Sequence, residues 1–410
     1  MNSNNKIVRG GVAVLALIIL LTSCNKLYTD PVPIRVPANP SGNTLAKTLA
    51  STPGDSLYNR LVIRSGILTT APATITDSTL RFTMFVPDNN AMKVFINALS
   101  LGAVPLNAPD AVFSGFITAN IPVASAAGIV GYNIVAQVLT TASFPTAFPN
   151  LQYPTILNPA PTLSALLRLT TFPSKRGSTT WVNNVPLSAA DAVASNGIIH
   201  HVPAMVLPPN ASLWVRISTD PDMTYFKAAV LRADSGTSPS SATSLQGALD
   251  NIGANLTVFV PTDSAMRAVL TQQITGALIA QGYLPLTAAT TAAALASTPA
   301  VFSNPLLYTS LTVMLVKGLV AYHILGTRVF TVNLPTTATN LYTLVGGAPY
   351  PGVSVQASFT GPVVTAASVK GAANASPSVI LLDPTPYTGK SDQNATNGVL
   401  HKINQALLPQ

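Results

Sequence analysis

The side chains on which acid–base, nucleophilic or metal chemistry depends are few in this sequence. Its 410 residues contain 13 acidic residues, all aspartate, together with four histidines and one cysteine. The lack of glutamate excludes mechanisms that require one, such as that of the His-Glu-x-x-His zinc proteases. The histidines are His200, His201, His323 and His401.

The spacing of the histidines does not fit a metal site. A zinc site needs three or four converging ligands. His200 and His201 are adjacent in an apolar run that predicts a strand, so their side chains point to opposite faces. We interpret His200 and His401 as structural residues that hydrogen-bond backbone or hydroxyl groups within their own domains. We predict no metal site and no cofactor.

Sequence motifs of catalysis give no positive signal. The chain has neither a Gly-x-Ser-x-Gly nucleophile elbow nor a Gly-x-x-x-x-Gly-Lys phosphate loop. Serines are numerous, so a Ser–His–Asp arrangement formed by the fold stays open, as does an aspartate pair for glycoside hydrolysis. Trp181 and Trp214 either pack at domain edges or stack on a sugar.

The single cysteine, Cys24, follows a secretory leader. Lys6 and Arg9 precede a ten-residue apolar run, Val12 to Leu21, whereas a membrane-spanning helix needs about 20 residues. The run ends in Leu-Thr-Ser-Cys, which resembles a bacterial lipobox, whose cysteine becomes acylated. The alternative is an ordinary leader with a chance cysteine.

The leader predicts that the protein is located in the cell envelope. We expect a signal peptide over residues 1–23 and a proline-rich tether over residues 24–43. Acyl chains on Cys24 would hold the chain to a membrane. Asn25 follows the cysteine, and by resemblance to Gram-negative lipoproteins this favours the outer membrane.

Composition limits the classes of partner. Hydrophobic residues make up 48% of the chain and charged residues 8%, with a formal net charge of +8. The charges are scattered singly rather than clustered with aromatic residues, so we predict no nucleic-acid groove. A mild attraction to anionic surfaces is all that the charge supports.

The segments that carry the histidines occur twice along the chain. Corresponding pairs are Phe85 and Phe259, 174 residues apart, Tyr132 and Tyr322, 190 apart, and Asn196 and Asn397, 201 apart. The rising offset places insertions in the second copy, at 277–305 and 335–377, which we expect to be surface loops or short helices.

Each copy follows the order helix, strand, helices and several short strands, which predicts an α+β fold. The predicted strands Arg81–Pro87 and Leu256–Pro261 are followed by helices that Asp88 and Thr262 would cap. The Asn-Gly pairs predict tight turns at positive φ. We place the domains at residues 44–209 and 220–410, with a linker at 210–219.

Three motifs, in the same order, resemble those of the fasciclin (FAS1) domain family. Phe82–Ala91 and Leu256–Ala265 are similar to its first signature. Asn196–His200 and Asn397–His401, each followed by a strand and Leu-Pro, are similar to its second. Ala321-Tyr-His-Ile-Leu325 resembles the tyrosine–histidine motif between them. The resemblance implies two tandem domains, each a β-wedge flanked by helices.

The resemblance also implies a function. Fasciclin domains are mostly extracellular adhesion or matrix-binding modules, often in tandem and membrane-anchored. It therefore implies a non-catalytic, lipid-anchored envelope protein that binds a protein or polysaccharide. The alternatives are an accessory lipoprotein for glycan capture and uptake, and a polymer hydrolase.

The site residues that the resemblance implies fall into two groups. The structural motif comprises Asn196, Gly197, His200, Asn397, Gly398 and His401. Tyr322 and His323 are candidates for contact with a partner, the alternative being that Tyr322 packs in the core and His323 bonds locally. The first copy departs from the motif, because it has Tyr132-Asn133 at the matching position.

Overall fold

The chain folds into two copies of one α+β unit. The computed structural model describes residues 42–69, 75–346, 351–383 and 389–409. The predicted leader over residues 1–23, the predicted acylation site Cys24 and the predicted tether up to residue 41 lie outside the described residues. The predicted α+β fold in two tandem units is confirmed.

The elements of the first domain come in the predicted order. Its helices are α1 (Leu45–Ser51), α2 (Ser56–Ser65), α3 (Asn89–Leu99), α4 (Asp110–Asn120) and α5 (Val123–Tyr132). Its strands are β1 (Phe82–Pro87), β2 (Ile134–Val135), β3 (Tyr153–Pro154), β4 (Thr170–Thr171), β5 (Pro173–Arg176), β6 (Thr179–Val182), β7 (Val185–Pro186), β8 (Ala189–Ala194) and β9 (Gly197–Val202). Short 3₁₀ turns occupy Pro53–Asp55 and Thr141–Ser143.

The second domain repeats this order with longer connections. Its helices are α6 (Leu213–Thr219), α7 (Thr224–Ala233), α8 (Leu245–Asp250), α9 (Asp263–Ala280), α10 (Pro285–Leu295) and α11 (Val313–Tyr322). Its strands are β10 (Leu256–Pro261), β11 (Ile324–Leu325), β12 (Thr339–Leu341), β13 (Val353–Thr360), β14 (Val363–Lys370), β15 (Ser378–Val379), β16 (Gln393–Ala395) and β17 (Gly398–Ile403). Its 3₁₀ turns are Pro299–Ser303, Pro305–Leu307 and Thr331–Asn333.

Each domain is built around a four-stranded sheet of the same topology. The strand order is β2-β1-β9-β8 in the first domain and β11-β10-β17-β16 in the second. The two central strands of each sheet are parallel, with Phe82 opposite Gly197 and Leu256 opposite Gly398. The two predicted signatures of each copy are therefore direct neighbours.

The central strand β1 separates two cores. Successive side chains of a strand point to opposite faces. Met84 and Val86 pack with the helices, whereas Phe85 packs on the opposite side in a core that contains Val182 and Val202. Strand β10 behaves alike, since Val258 and Phe259 lie in different cores. Burial on both faces accounts for the apolar Phe-Val-Pro runs in both copies.

The predicted helix caps after these strands are present. The carboxylate of Asp88 accepts a hydrogen bond of 2.8 Å from the backbone N–H of Ala91. The hydroxyl of Thr262 accepts one of 3.3 Å from the N–H of Ala265. Such bonds satisfy donors that the first helical turn leaves free.

The linker predicted at residues 210–219 is much shorter in the structure. Residues 213–219 form α6, whose Leu213 and Ile217 are buried in the core of the second domain. Helix α6 takes the place that α1 has in the first domain. The i, i+4 spacing of these two side chains and the cap at Ser212 are the signals that the sequence prediction missed.

The insertion at 335–377 forms a sheet rather than surface loops or short helices. It supplies three strands of a sheet with the order β12-β13-β14-β15, and Val353, Val355 and Val369 lie on the buried face of that sheet. Burial of one face of a β-hairpin requires the alternating pattern seen in β13. The other insertion, 277–305, holds the end of α9 and the helix α10.

Within the described residues, no single helix has the length and hydropathy needed to cross a membrane. Helices α4 and α5 reach that length and hydropathy only when they are taken together, and the chain bends by 112° at their junction.

Candidate functional site

A threonine, an aspartate and a histidine form a hydrogen-bonded network in the first domain. The Nδ1 atom of His200 accepts the backbone N–H of Asp191 at 3.2 Å, and its Nε2 atom lies 2.7 Å from the carbonyl oxygen of Leu139. The carboxylate of Asp191 accepts the hydroxyl and, at 2.9 Å, the backbone N–H of Thr141. The network ties the β8–β9 hairpin to the loop that follows β2.

The second domain contains the same network. The Nδ1 atom of His401 accepts the N–H of Asp392 at 3.1 Å, and its Nε2 atom lies 2.9 Å from the carbonyl oxygen of Val329. Asp392 in turn accepts the backbone N–H of Thr331 at 2.7 Å and its hydroxyl. The duplication therefore extends from the backbone to a set of buried polar contacts.

This arrangement does not have the geometry of a catalytic triad. In a triad the histidine is hydrogen-bonded to the nucleophilic hydroxyl. Here both ring nitrogens are engaged by backbone groups, which assigns the neutral tautomer with the proton on Nε2, and each threonine donates to the aspartate instead. Burial lowers the pKa of His200 and of His401, which keeps both rings neutral. The networks act as braces.

The two aspartates of the braces differ in their electrostatics. Both adopt left-handed backbone conformations, with φ of 58° at Asp191 and 50° at Asp392, which aspartate tolerates better than most residues. Burial alone would raise the pKa of Asp191, but the hydrogen bonds from Thr141 outweigh it and the pKa is lowered. Burial raises the pKa of Asp392.

The Asn-Gly pairs close each domain in a way that the sequence only partly predicts. The side chain of Asn196 accepts the N–H of Leu45 at 2.7 Å and donates to the carbonyl oxygen of Ile75 at 2.8 Å. Asn397 likewise accepts the N–H of Leu213 at 2.9 Å. Each asparagine thus fixes the first helix of its domain against the hairpin.

The expectation of positive φ at the glycines is wrong. Neither Gly197 nor Gly398 adopts it. Glycine is needed because the parallel neighbour strand comes very close. A Cβ atom on Gly197 would lie 2.1 Å from the carbonyl oxygen of Phe82, and one on Gly398 would lie 2.5 Å from that of Leu256.

The candidate partner-binding residues Tyr322 and His323 are buried. The Nδ1–H of His323 donates to Leu319 O at 2.8 Å, and its Nε2 accepts the N–H of Leu407 at 2.9 Å. The hydroxyl of Tyr322 donates to Gly352 O at 3.0 Å. The structure thus places both side chains beneath the surface, and their contact with a partner stays a prediction.

In the first domain Asn133 occupies the place of His323. Its amide donates to the carbonyl oxygens of Ile129 at 2.8 Å and Val206 at 2.9 Å. Both residues therefore link the last turn of a helix to the segment after the final strand. The departure from the family motif preserves this link.

The two domains meet in a packed interface. Trp181 is fully buried there, and its indole N–H donates to the carbonyl oxygen of Pro362 at 3.1 Å. The ring of Phe172 contacts that of Phe330, with 5.7 Å between centroids. Trp181 thus packs between the domains, and Trp214 packs against the core of the second domain.

Polar side chains also cross the interface. The guanidinium group of Arg176 donates to the carbonyl oxygens of Val332 at 3.1 Å and Leu334 at 2.7 Å. The amide of Asn394 donates to the hydroxyl of Tyr132 at 3.0 Å. Apolar and polar contacts together fix the orientation of the two domains.

A groove opens along this interface. One part is a cleft of about 260 Å³. Its lining comes from both domains and includes Asn183, Asn184, Val185, Met205, Arg216 and Asn394. A second cleft of about 290 Å³ shares Asn184, Val185 and Asp392 with the first.

A metal centre has no visible basis in the part of the chain that the structure describes. No group of three histidine, cysteine or aspartate side chains lies close enough there to hold an ion.

Sequence reasoning missed the threonine and aspartate members of the braces and the arginine of the cleft. One signal was available, because Asp191 and Asp392 each precede their histidine by nine residues. Arg216 carries no such signal, since its position follows from how the domains pack.

Comparison with solved structures gives significant matches, whereas comparison with sequences does not. No protein-family model and no curated protein sequence matches the chain significantly. Among solved structures, the chain is similar to a FAS1 domain pair from the insect cell adhesion molecule Fasciclin I, with 14% identity and a TM-score of 0.31. The match covers 88% of this chain and 95% of that one. A likeness this low carries no functional argument, so the fasciclin relationship stays a resemblance.

Proposed function

We propose that this chain is a lipid-anchored binding protein of the cell envelope, which recognises a protein or polysaccharide partner without chemically changing it. The observation that carries the proposal is the groove at the domain interface. Both domains contribute its walls, and packed side chains such as Trp181 hold them in place. A binding surface held by rigid elements loses little entropy when a partner docks.

The polar networks of the domains support a non-catalytic role. Thr141, Asp191 and His200 resemble a triad in composition, yet the imidazole is held by two backbone groups. A general base must have a free lone pair within reach of the proton that it removes. In each brace the lone pair of the histidine already accepts a hydrogen bond from a backbone N–H. This arrangement argues against the hydrolase alternative.

Binding and chemistry can be tested together. We would incubate the full chain in mild detergent with fractionated envelope polysaccharides and extracellular proteins, then measure co-sedimentation and new reducing ends or peptide termini. The proposal predicts saturable co-sedimentation with at least one fraction and no new chain ends. Steady release of chain ends that scales with protein concentration would contradict it.

The anchor needs a separate test, because it rests on the lipobox resemblance at Cys24. Cys24→Ser removes the acylation site, so the variant should leave the outer-membrane fraction while the parent stays in it. Ser23→Ala is a matched control that keeps the cysteine. A Cys24→Ser protein that still fractionates with the outer membrane would contradict the anchor.

A further inference from the structure

We propose that the 260 Å³ cleft at the domain interface binds a carboxylate-bearing sugar unit of an acidic polysaccharide, with Arg216 as the anion contact. This inference rests on the proposed binding function and names the class of its ligand.

Arg216 has unused donor capacity at the cleft wall. It lies in α6 and donates one hydrogen bond, of 2.7 Å, to the carbonyl oxygen of Asn394. Its Nε atom is buried, and no described residue accepts a hydrogen bond from it. A guanidinium group presents five donors in a plane that matches a carboxylate. Arg216 lines the cleft and is only partly buried, so the outer guanidinium donors that do not bond Asn394 are the ones that a ligand in the cleft would use.

A second arginine adds positive charge behind the same wall. Arg328 is buried and donates to the side-chain oxygens of Asn255 and Asn394, both at 2.9 Å. Neither Arg216 nor Arg328 takes part in an ion pair with a carboxylate of the described residues. Buried charges are normally paired. An anion bound at the cleft would supply the missing charge.

Asp392 is a candidate for an internal counter-charge, since it lines the same cleft. Both of its oxygens are already engaged by Thr331. Burial also raises the pKa of Asp392, because it disfavours the charged form. Burial lowers the pKa of Arg216 as well, as expected for a cation without a partner.

The rest of the lining suits a sugar better than a peptide. Asn184 and Asn210 offer amide donors and acceptors for hydroxyl groups, while Leu207 and Pro208 offer apolar surface for a sugar ring. The cleft is smaller than the roughly 300–1,000 Å³ of pockets for drug-sized ligands, so it fits one unit of a chain. The adjoining 290 Å³ cleft extends the groove, as a polymer requires.

The test compares two probes that share a sugar backbone, one with free carboxylates and one with the carboxylates methylated and therefore uncharged. Oligogalacturonate carries a carboxylate on each unit, and its methyl ester has the same backbone without the charge. Binding of each to the full chain in mild detergent would be measured by calorimetry. The variant is Arg216→Gln, and the control is Arg267→Gln, which makes the same change at an exposed position on α9 outside the groove. Arg216→Lys is a second variant that keeps the charge and the helix.

The parent should bind the acid about tenfold or more tightly than the ester. Arg216→Gln should lose that preference, Arg216→Lys should weaken it, and Arg267→Gln should match the parent. Unfolding midpoints would confirm that the variants are folded. Equal binding of acid and ester, or an acid preference that survives Arg216→Gln, would overturn the inference.

Other outcomes would separate this inference from the function beneath it. A polyaspartate peptide that displaces the acid at equal concentration would overturn the assignment to sugars. Failure of both sugar probes, with envelope polymer still co-sedimenting, would overturn the ligand class and leave the proposed function standing.

Discussion

The Nε2 atom of His201 lies 3.1 Å from each carboxylate oxygen of Asp55. The pair joins the end of β9 to the 3₁₀ turn after α1. In the second domain, Lys402 at the matching position lies 3.0 Å from the carboxylate of Asp220. One domain therefore uses a histidine, and the other a lysine, to fix the corresponding strand.

This difference predicts a pH-dependent stability for the first domain. The hydrogen bond to Asp55 raises the pKa of His201, with burial opposing and Asp88 assisting. A histidine whose pKa is raised by folding stabilises the fold fully below its unfolded pKa, about 6.5. This stabilisation is lost as pH rises through the folded pKa. His201→Gln should therefore cost on the order of 1 kcal/mol near pH 6 and less near pH 8.5.

Urea unfolding of parent and variant at both pH values measures this difference directly, since titration of other groups cancels between them. His201→Lys is the matched control, because it copies Lys402 and should remove the loss at high pH. A cost of His201→Gln that is the same at both pH values would refute the account of this pair.

His323 predicts the opposite pH dependence. Burial lowers its pKa to about 4, which outweighs the opposing effect of the hydrogen bond to Leu319. A histidine whose pKa is lowered by folding stabilises the fold above its unfolded pKa of about 6.5. This stabilisation is lost as pH falls toward 4. The loss attributable to it is on the order of 3 kcal/mol. His323→Asn should flatten that part of the acid slope.

The choice of asparagine follows from Asn133, which fills the same place in the first domain. His323→Ala leaves a buried N–H and a carbonyl unpaired, so it should be about 2 kcal/mol less stable than His323→Asn at pH 8. Chemical denaturation at pH 8 checks this order. Loss of partner binding in a stable His323→Asn protein would instead assign His323 to the recognition surface.

The close packing at Gly197 predicts a large effect of a single methyl group. Gly197→Ala places a Cβ atom 2.1 Å from Phe82 O, so the parallel strands must separate and the fold should lose 3 kcal/mol or more, roughly. Gly128→Ala, on α5 with no neighbour within 4 Å of the new atom, should be neutral or stabilising by up to about 1 kcal/mol. Unfolding midpoints compare the two, and equal effects would disprove the packing argument.

The interface predicts that the two domains unfold together. Trp181→Ala removes a fully buried side chain and its bond to Pro362, a loss of about 3–5 kcal/mol. The variant should show two calorimetric transitions where the parent shows one. Trp214→Ala, at the edge of the second core, is the control that destabilises without uncoupling. Two transitions in the parent would mean that the interface does not couple the domains.

The sequence predicts those parts of the fold that local patterns determine. Strand Leu256–Pro261 and the caps at Asp88 and Thr262 follow from apolar runs and side-chain chemistry, and all three appear where predicted. The sequence does not predict helix Leu213–Thr219 in place of a linker, because its apolar face is narrow. That face is stabilised only by packing against the core of the second domain.

The candidate site was less predictable for a physical reason. The histidine brace joins residues such as Thr141 and Asp191, which are 50 positions apart, and the cleft forms only when two domains pack. Periodicity within a segment contains no information about such contacts. The sequence indicates that Gly197 is required, but it predicts a turn at positive φ as the reason. The actual reason is the close approach of the neighbouring strand, which is a tertiary contact.

The most direct test of the account is the protonation of the brace histidines. Long-range ¹H–¹⁵N spectra of the full chain would report the tautomers of His200 and His401. The account predicts neutral rings with the proton on Nε2, unchanged from pH 8 to pH 5.5 and unchanged by bound polymer, because both nitrogens are held by backbone groups. Rings that titrate near pH 6.5, or that change tautomer when polymer binds, would contradict it and point to a reactive site.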